Sequence, residues 1–397
     1  MQKRFTPDEG GVFPEWEEKT IEEACNVNVS NGTPGDKFIY IELGDVNKYG
    51  LLKRKNLVQK HEAPVSAKRV AKVDDVFFRS VRPGNKGHFH YTNEMSEQVV
   101  MSSAFFQLSM KDGDNGFLYQ ALNSDYFCKQ VLRKCAGTAY PTISLKEFIK
   151  LKIRIPKSIE EQRKIAAALA AYDEMIAVKT AKLETWQECK KRMVKEIFGR
   201  TKRFKDDDGK EFPEWEEKTL GEVAEINPAS AESLPEVFYY MDLGSIDSGI
   251  WTEKRLINKK SAPSRAQRIA QQDDVFFQSV RPLNKDHYHY TKKADKSVVA
   301  STGFIQLRIK NGSNAFLYQL LYENNFNNEV RRYAAGSNYP AINATNLSKI
   351  KVMIPCMEEQ QKIGSFLAEL DKEIQIQKEF IKTYAEGKKR MMRELME

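Results

Sequence analysis

The chain has 397 residues, of which 41% are hydrophobic and 30% charged. That is too long for one ordinary core and sets the expectation of two domains or more. No apolar run approaches the roughly 18 residues of a membrane span, and the N-terminus lacks the apolar stretch of a secretion signal. Five scattered cysteines without a CxxC pair point to a reducing cytoplasm and not to a disulfide scaffold. The net charge of +8 permits a polyanionic partner without demanding one.

Taken in chain order, the pattern mixes short strands with helices. The stretch Phe13-Pro14-Glu15-Trp16-Glu17-Glu18-Lys19-Thr20 opens a first module, with Trp16 as a core anchor. Strands are predicted over 37–43, 76–81 and 99–110, each bounded by Gly, Asn or Pro turns. Residues 116–132 have helical spacing, 150–155 alternate apolar and polar, and Pro156 closes the module. Ser158 is the expected N-cap for a long helix over 160–198. In it Ile165, Leu169, Tyr172, Ile176, Leu183, Trp186, Met193 and Ile197 follow the alternating four-and-three spacing of a coiled-coil seam, with breaks at Lys179 and Lys190. At 1.5 Å per residue this helix is roughly 55–60 Å long, a ruler for whatever it joins. A polar linker, 199–209, comes next.

The chain then repeats. Phe212 through Thr219 restate the opening stretch letter for letter, 199 residues on, and Trp215 takes the place of Trp16. Asp273 through Phe277 restate Asp74 through Phe78, and Gly336, Tyr339 and Pro340 restate Gly137, Tyr140 and Pro141. A strand over 237–243 matches 37–43. The second seam runs through Ile363, Leu367, Leu370, Ile374, Ile381, Tyr384, Met391 and Leu395, broken at Gln377 and Lys388. So long a period marks duplicated domains, since solenoid repeats are typically 20–50 residues. Matching stripes predict that the two helices pair within the chain.

Catalytic motifs are missing. There is no GxxxxGK[ST] phosphate loop, no glycine-rich fingerprint after a strand, and no Asn/Asp-Pro-Pro-aromatic tetrapeptide; Asn227-Pro228-Ala229 comes nearest and fails. His88-Phe89-His90 and His287-Tyr288-His289 have the spacing of metal pairs, but no Cys, His or carboxylate cluster completes a site, and a structural role is favoured. Asp74-Asp75 and Asp273-Asp274 are either paired carboxylates or strand-start turns, and the adjoining Val-Phe-Phe favours the turn. The chain is expected to catalyse nothing.

The most informative segment is DDVFFRSVRPGNKGHFHYT at 74–92, matched by DDVFFQSVRPLNKDHYHYT at 273–291. An apolar strand leads into a turn rich in donors: Arg82, Asn85, Lys86 and His88 in one copy, Arg281, Asn284, Lys285 and His287 in the other. Such groups suit phosphates and base edges, against the alternative of a solvated hairpin loop. A duplicated reader of two unlike half-sites keeps its phosphate contacts and varies its base contacts. Arg79 against Gln278 is such a variation, Arg suiting guanine and Gln adenine, with ordinary drift as the competing account. Lys53-Arg54-Lys55, Lys254-Arg255, Lys68-Arg69 and Arg268 either touch phosphate or face water. Gly137 through Pro141 and Gly336 through Pro340 either form a packing turn or offer hydroxyls to phosphate. Lys190-Lys191-Arg192 and Lys388-Lys389-Arg390 read as a solvated helix face, open to a partner or a DNA backbone.

Two FPEW module starts, two RPxNK loops, G-x-x-Y-P-x-I, I-P-x(2–3)-E-E-Q-x-K-I and two heptad helices resemble, in order and over essentially the whole length, type I restriction–modification specificity subunits. The resemblance implies an α+β fold: two tandem mixed α/β target recognition domains, joined by two long helices that form an antiparallel coiled coil with pseudo-twofold internal repeat. The expected boundaries are 1–157 and 201–356 for the recognition domains, and 158–200 and 357–397 for the central and distal helices. It also implies a bipartite double-stranded DNA target and two modification subunits as partners, with restriction subunits where cleavage occurs. No cofactor is expected in this chain; S-adenosylmethionine belongs to the modification subunits, and ATP and Mg to the restriction subunits. A self-contained DNA-modifying enzyme and a coiled-coil scaffold that binds only protein are the competing readings.

Overall fold

The computed structural model describes residues 4–92, 95–230, 232–336 and 339–396. The chain divides into two compact units, Met1–Lys182 with Gln377–Glu397, and Leu183–Ile376. Each therefore takes part of both long helices, Ile159–Phe198 and Met357–Met396.

In the first unit, strand Glu17–Thr20 pairs antiparallel with Lys152–Ile155, Glu17 opposite Ile155, and so joins the module's start to its end. The alternation expected near 150–155 is seen there, with Ile153 and Ile155 buried and Lys152 and Arg154 exposed. One four-stranded antiparallel sheet has the order Cys25–Val27, Phe105–Met110, Val76–Arg79, Phe89–His90. The other runs Asn56–Gln59, Lys37–Ile41, Val99–Ser102, Ala67–Val70, its middle pair parallel. The single strand expected over 99–110 is thus two strands in two sheets. The chain turns at Ser103, whose N–H bonds Ser66 O while Ser102 Oγ accepts from Ala104 N–H. The helical stretch expected over 116–132 is likewise two helices, Asn115–Asn123 and Asp125–Lys134. Ser124 breaks it, because its hydroxyl caps the second helix by accepting from Phe127 N–H. Phe78, Phe117, Phe127 and Phe148 form the centre of the core. Ile165 and Leu169 of the central helix and Met392, Leu395 and Met396 of the distal helix close it.

The second unit repeats the plan. Glu216–Thr219 pairs with Lys351–Ile354, and its sheets run Ala224–Ile226, Phe304–Ile309, Val275–Gln278, Tyr288–His289 and Arg255–Asn258, Val237–Met241, Val298–Ser301, Ala266–Ile269. Its core joins Phe277, Phe316 and Phe326 to Met193 and Ile197 of the central helix and Ile363, Leu367 and Leu370 of the distal one.

The E-E-Q motif proves to be a structural latch. Buried Glu161 holds Arg4 through two hydrogen bonds of 3.0 and 2.9 Å, and Gln162 bridges Asp114 N–H and Pro156 O. In the second unit Glu359 takes Arg203 and the Trp215 indole, and Gln360 bridges Ser313 N–H and Pro355 O. The expected N-cap holds too, since Ser158 Oγ accepts from Glu161 N–H at 3.4 Å. Both tryptophans pack edge-on against core phenylalanines, Trp16 on Phe117 and Trp215 on Phe316.

Within the first unit the two helices run antiparallel: Asp173 meets Lys388, and six residues further along Lys179 lies over Phe380. Lys388 Nζ donates to both Asp173 oxygens at 2.6 and 2.7 Å, and the Gln120 amide donates to the same carboxylate at 2.8 Å. The second unit holds the equivalent set, Lys190 on Asp371 at 2.6 Å and Gln319 on Asp371 at 2.8 Å. Lys190 and Lys388 therefore depart from the solvated-face expectation. They interrupt the apolar seam because each meets a carboxylate on the opposing helix.

Candidate nucleic-acid interface

The strand Val76–Arg79 is apolar on both faces at its start, with Val76, Phe77 and Phe78 all buried, which fixes it as the inner strand of its sheet. It leads into a 3-10 turn, Pro83–Asn85, entered by Arg82 in the left-handed conformation at φ 49°. The second repeat has the same turn, Pro282–Asn284, entered by Arg281 at φ 52°. Left-handed backbone is disfavoured for a residue with a Cβ, so its presence twice marks a conformation held by its surroundings. Here the holding segment is the G-x-x-Y-P stretch: Arg82 N–H bonds Pro141 O at 2.6 Å, and Val81 bridges Thr142. Arg281 N–H bonds Pro340 O, and Val280 bridges Ala341.

This places each arginine on an exposed tyrosine. The Arg82 guanidinium lies 3.9 Å from the Tyr140 ring centre and donates to Ala139 O; Arg281 lies 4.3 Å from Tyr339. Tyr140 and Tyr339 are 66% and 67% exposed, so each stack offers solvent a cation, its in-plane donors and an aromatic edge. Gly137 and Gly336 make the turn possible. They sit at φ 89° and 102°, and a Cβ there meets the carbonyl of Tyr140 or Tyr339 at 3.2 or 3.0 Å. Of the second stretch, Ser337 and Asn338 lie outside the described residues. Residues 137–141 and 339–340 pack against the turn, as one of the two readings of the motif had it. The tyrosines' part was missed; the signal available was the joint recurrence of Arg-Pro and Tyr-Pro in both repeats.

The other expected contacts divide. Asn85 and Asn284 are exposed beside the arginines. Lys86 is half-buried, its ammonium donating to Asn123 O at 3.0 Å, and burial lowers the pKa of Lys285. His88 and His287 need correction as surface contacts. His88 is 4% exposed and stacks on Phe78 at 4.1 Å; His287 is fully buried and stacks on Phe277 at 4.6 Å. Each Nδ1 accepts the backbone N–H of the strand's last residue, Arg79 or Gln278, at 3.1 Å. Burial, with nearby cations second, drives both imidazoles down to about 3, so they are neutral core rings. Arg79 and Gln278 also turn inward. Arg79 donates to Val81 O and Leu43 O, and Gln278, 5% exposed, accepts from Asp286 N–H. Through these bonds both side chains brace the loop.

Asp74 and Asp273 bond His90 and His289 at 2.7 Å, and Asp75 and Asp274 are buried at the strand start, so the carboxylates serve the turn. Among the described residues no group of three or more His, Cys, Asp or Glu gathers in a way that holds a metal ion. Lys53, Arg54 and Lys55 are exposed, whereas Arg255 pairs with Asp242. Burial lowers the pKa of Arg69 and of Arg268. Behind Lys86 lies a cleft of about 350 Å³ reached by Lys48, Lys388, Lys389 and Arg393; Lys389 and Arg393 share Asp125 as partner.

Two copies of one domain, each offering an arginine–tyrosine loop, define a duplicated recognition protein. The chain belongs to the type I restriction modification DNA specificity domain family, which matches residues 14–185 and 213–383. It is a noncatalytic specificity subunit with two recognition domains. It is 24% identical over 320 residues to the type I restriction enzyme MjaVIII specificity subunit of Methanocaldococcus jannaschii, covering 76% of this chain and 74% of that one. The putative MjaX specificity subunit of the same organism is 24% identical over 62% of this chain and 58% of its own length. The type I restriction–modification S subunit from M. genitalium shares the fold, with a TM-score of 0.62 at 17% identity over 99% of both chains.

Proposed function

We propose that the two arginine–tyrosine loops are the DNA contacts of this specificity subunit, one for each half of a bipartite duplex target. The observation that carries the reading is the recurrence of the same exposed Arg–Tyr stack, with an exposed asparagine beside it, at the same place in both repeats. Arg82, Asn85 and Tyr140 serve the first half-site and Arg281, Asn284 and Tyr339 the second, with Lys86 and Lys285 adding positive charge behind the turns. Arginine supplies the paired donors that suit guanine or a phosphate, and the fixed stack lowers the entropy lost on contact.

In this reading two modification subunits dock on the chain, hold the S-adenosylmethionine and methylate the DNA, with restriction subunits joining where cleavage occurs. The domains span 1–157 and 201–356, the helices 158–200 and 357–397 set the gap, and the complex works in the cytoplasm. No helix among the described residues is long and apolar enough to cross a membrane.

The test is co-expression with the modification subunit, then sequencing of methylated positions with and without this chain. The expected result is methylation at one bipartite motif that disappears without the chain. Methyl transfer by the purified chain alone favours the self-contained enzyme, and a partnered complex with no affinity for duplex DNA favours the protein-only scaffold.

A further inference from the structure

The carboxylate that opens the strand before the loop is satisfied differently in the two repeats. In the second, Asp274 is fully buried, and its Oδ2 accepts from the Gln306 amide and from Gln271 N–H, both at 2.7 Å. The Arg308 guanidinium then closes on it from one side, Nε to Oδ1 at 2.8 Å and a terminal nitrogen to Oδ2 at 3.1 Å. In the first repeat Asp75 keeps the same cradle. Its Oδ2 accepts from Gln107 at 2.6 Å, Lys72 N–H at 2.8 Å and Asn31 at 3.1 Å. But Ser109 stands where the other repeat has Arg308. Among the described residues Asp75 makes no ion pair and its Oδ1 receives no hydrogen bond. Beside it opens a polar cavity of about 380 Å³, lined by Asn26, Asn31, Asp74, Ser109 and Asn115.

Asp75 is only 7% exposed, its donors are all neutral, and its Oδ1 faces the cavity with no protein group upon it among the described residues. The second repeat shows which group the cradle fits: a planar cation that reaches both oxygens at once. We propose that the cavity beside Asp75 is a binding site for a guanidinium group, supplied in trans where Arg308 supplies it in cis. The internal competitor is Lys72, at the cavity's rim, whose exposed ammonium makes no pair with Asp75. The site is separate from the arginine–tyrosine loops, and its test does not involve DNA.

Thermal unfolding of the full chain tests it, in methylguanidinium chloride against potassium chloride or methylammonium chloride at equal ionic strength. The wild type is expected to gain on the order of a degree or more in Tm from methylguanidinium once the ligand exceeds its Kd several-fold. Ser109→Arg, which imports the second repeat's own cation, is expected to abolish that gain. Arg308→Ser, which uncovers Asp274 in the second repeat, is expected to enlarge it and keeps the test informative if Ser109→Arg fails to fold. Calorimetry with N-acetyl-arginine methylamide and with free L-arginine separates a protein-borne side chain from the amino acid; binding of the blocked form assigns the former, and of the free form alone the latter. Equal responses of wild type and Ser109→Arg overturn the proposal, as does an equal response to methylammonium. So does a methylguanidinium response that appears only in Lys72→Gln, for then Lys72 already neutralises Asp75.

Discussion

Arg82 and Arg281 are held in a left-handed backbone and laid on a tyrosine, so their side chains are ordered before any ligand arrives. Arg82→Ala is expected to weaken duplex binding by the partnered complex and to lower the slope of log affinity against log salt by about one, because a cation is lost. Tyr140→Leu is expected to weaken binding less and to leave the slope unchanged; fluorescence anisotropy over a salt series reads both. The histidines make a second expectation. Their folded pKa is about 3 against an ordinary 6.5, so the folded state binds fewer protons between those values. Stability is therefore full above pH 6.5 and falls as pH drops through that window, by about 1 kcal/mol per histidine between pH 7 and 5.5. His88→Gln is expected to remove about half of the histidine share of that loss in urea titrations at the two pH values. Sequence alone singled out this loop, since its composition is visible in the letters. It could not say that His88 points inward: period-two spacing groups residues by face without telling which face meets Phe78.

At the scale of elements, the breaks in the two heptad seams were legible and their cause was not. Lys190 and Lys388 looked like interruptions because the carboxylates that receive them, Asp371 and Asp173, sit on the other helix, and distance along the chain hides the pairing. Burial pulls the Lys388 ammonium down and Asp173 draws it partly back, so the pair stands only while both members are present. Lys388→Met is expected to cost about 2–4 kcal/mol in chemical denaturation, since Asp173 is then left with Gln120 alone. Adding Asp173→Leu is expected to recover much of that loss. Two single costs that simply add in the double mutant are the result that removes the pair from the account. A polar pair at a seam position also fixes register, since sliding either helix by one turn strands both charges in apolar surroundings.

At the scale of the whole chain, the duplication was legible because identical stretches recur at one offset and need no three-dimensional knowledge. What the letters hid is where the copies differ in consequence: Ser109 against Arg308 empties or fills a cavity, and Asp125 against Asn324 gives or withholds a partner for the basic residues of a helix. Such differences acquire meaning only when side chains far apart in sequence meet. The duplication nevertheless makes a demand on binding energetics. Arg82 and Arg281 belong to different compact units and hold no hydrogen-bond partner in common. Substitutions that share no partner add within about 0.3–0.5 kcal/mol. The binding loss of an Arg82→Ala, Arg281→Ala double mutant is therefore expected to equal the sum of the single losses, measured by titrating the partnered complex with the full bipartite target. Each single mutant is also expected to relax methylation preference within one half-site and leave the other intact. A loss well short of the sum, with both half-sites relaxed by either change, means that the two loops work on one shared stretch of DNA, and the assignment of one half-site to each repeat then falls.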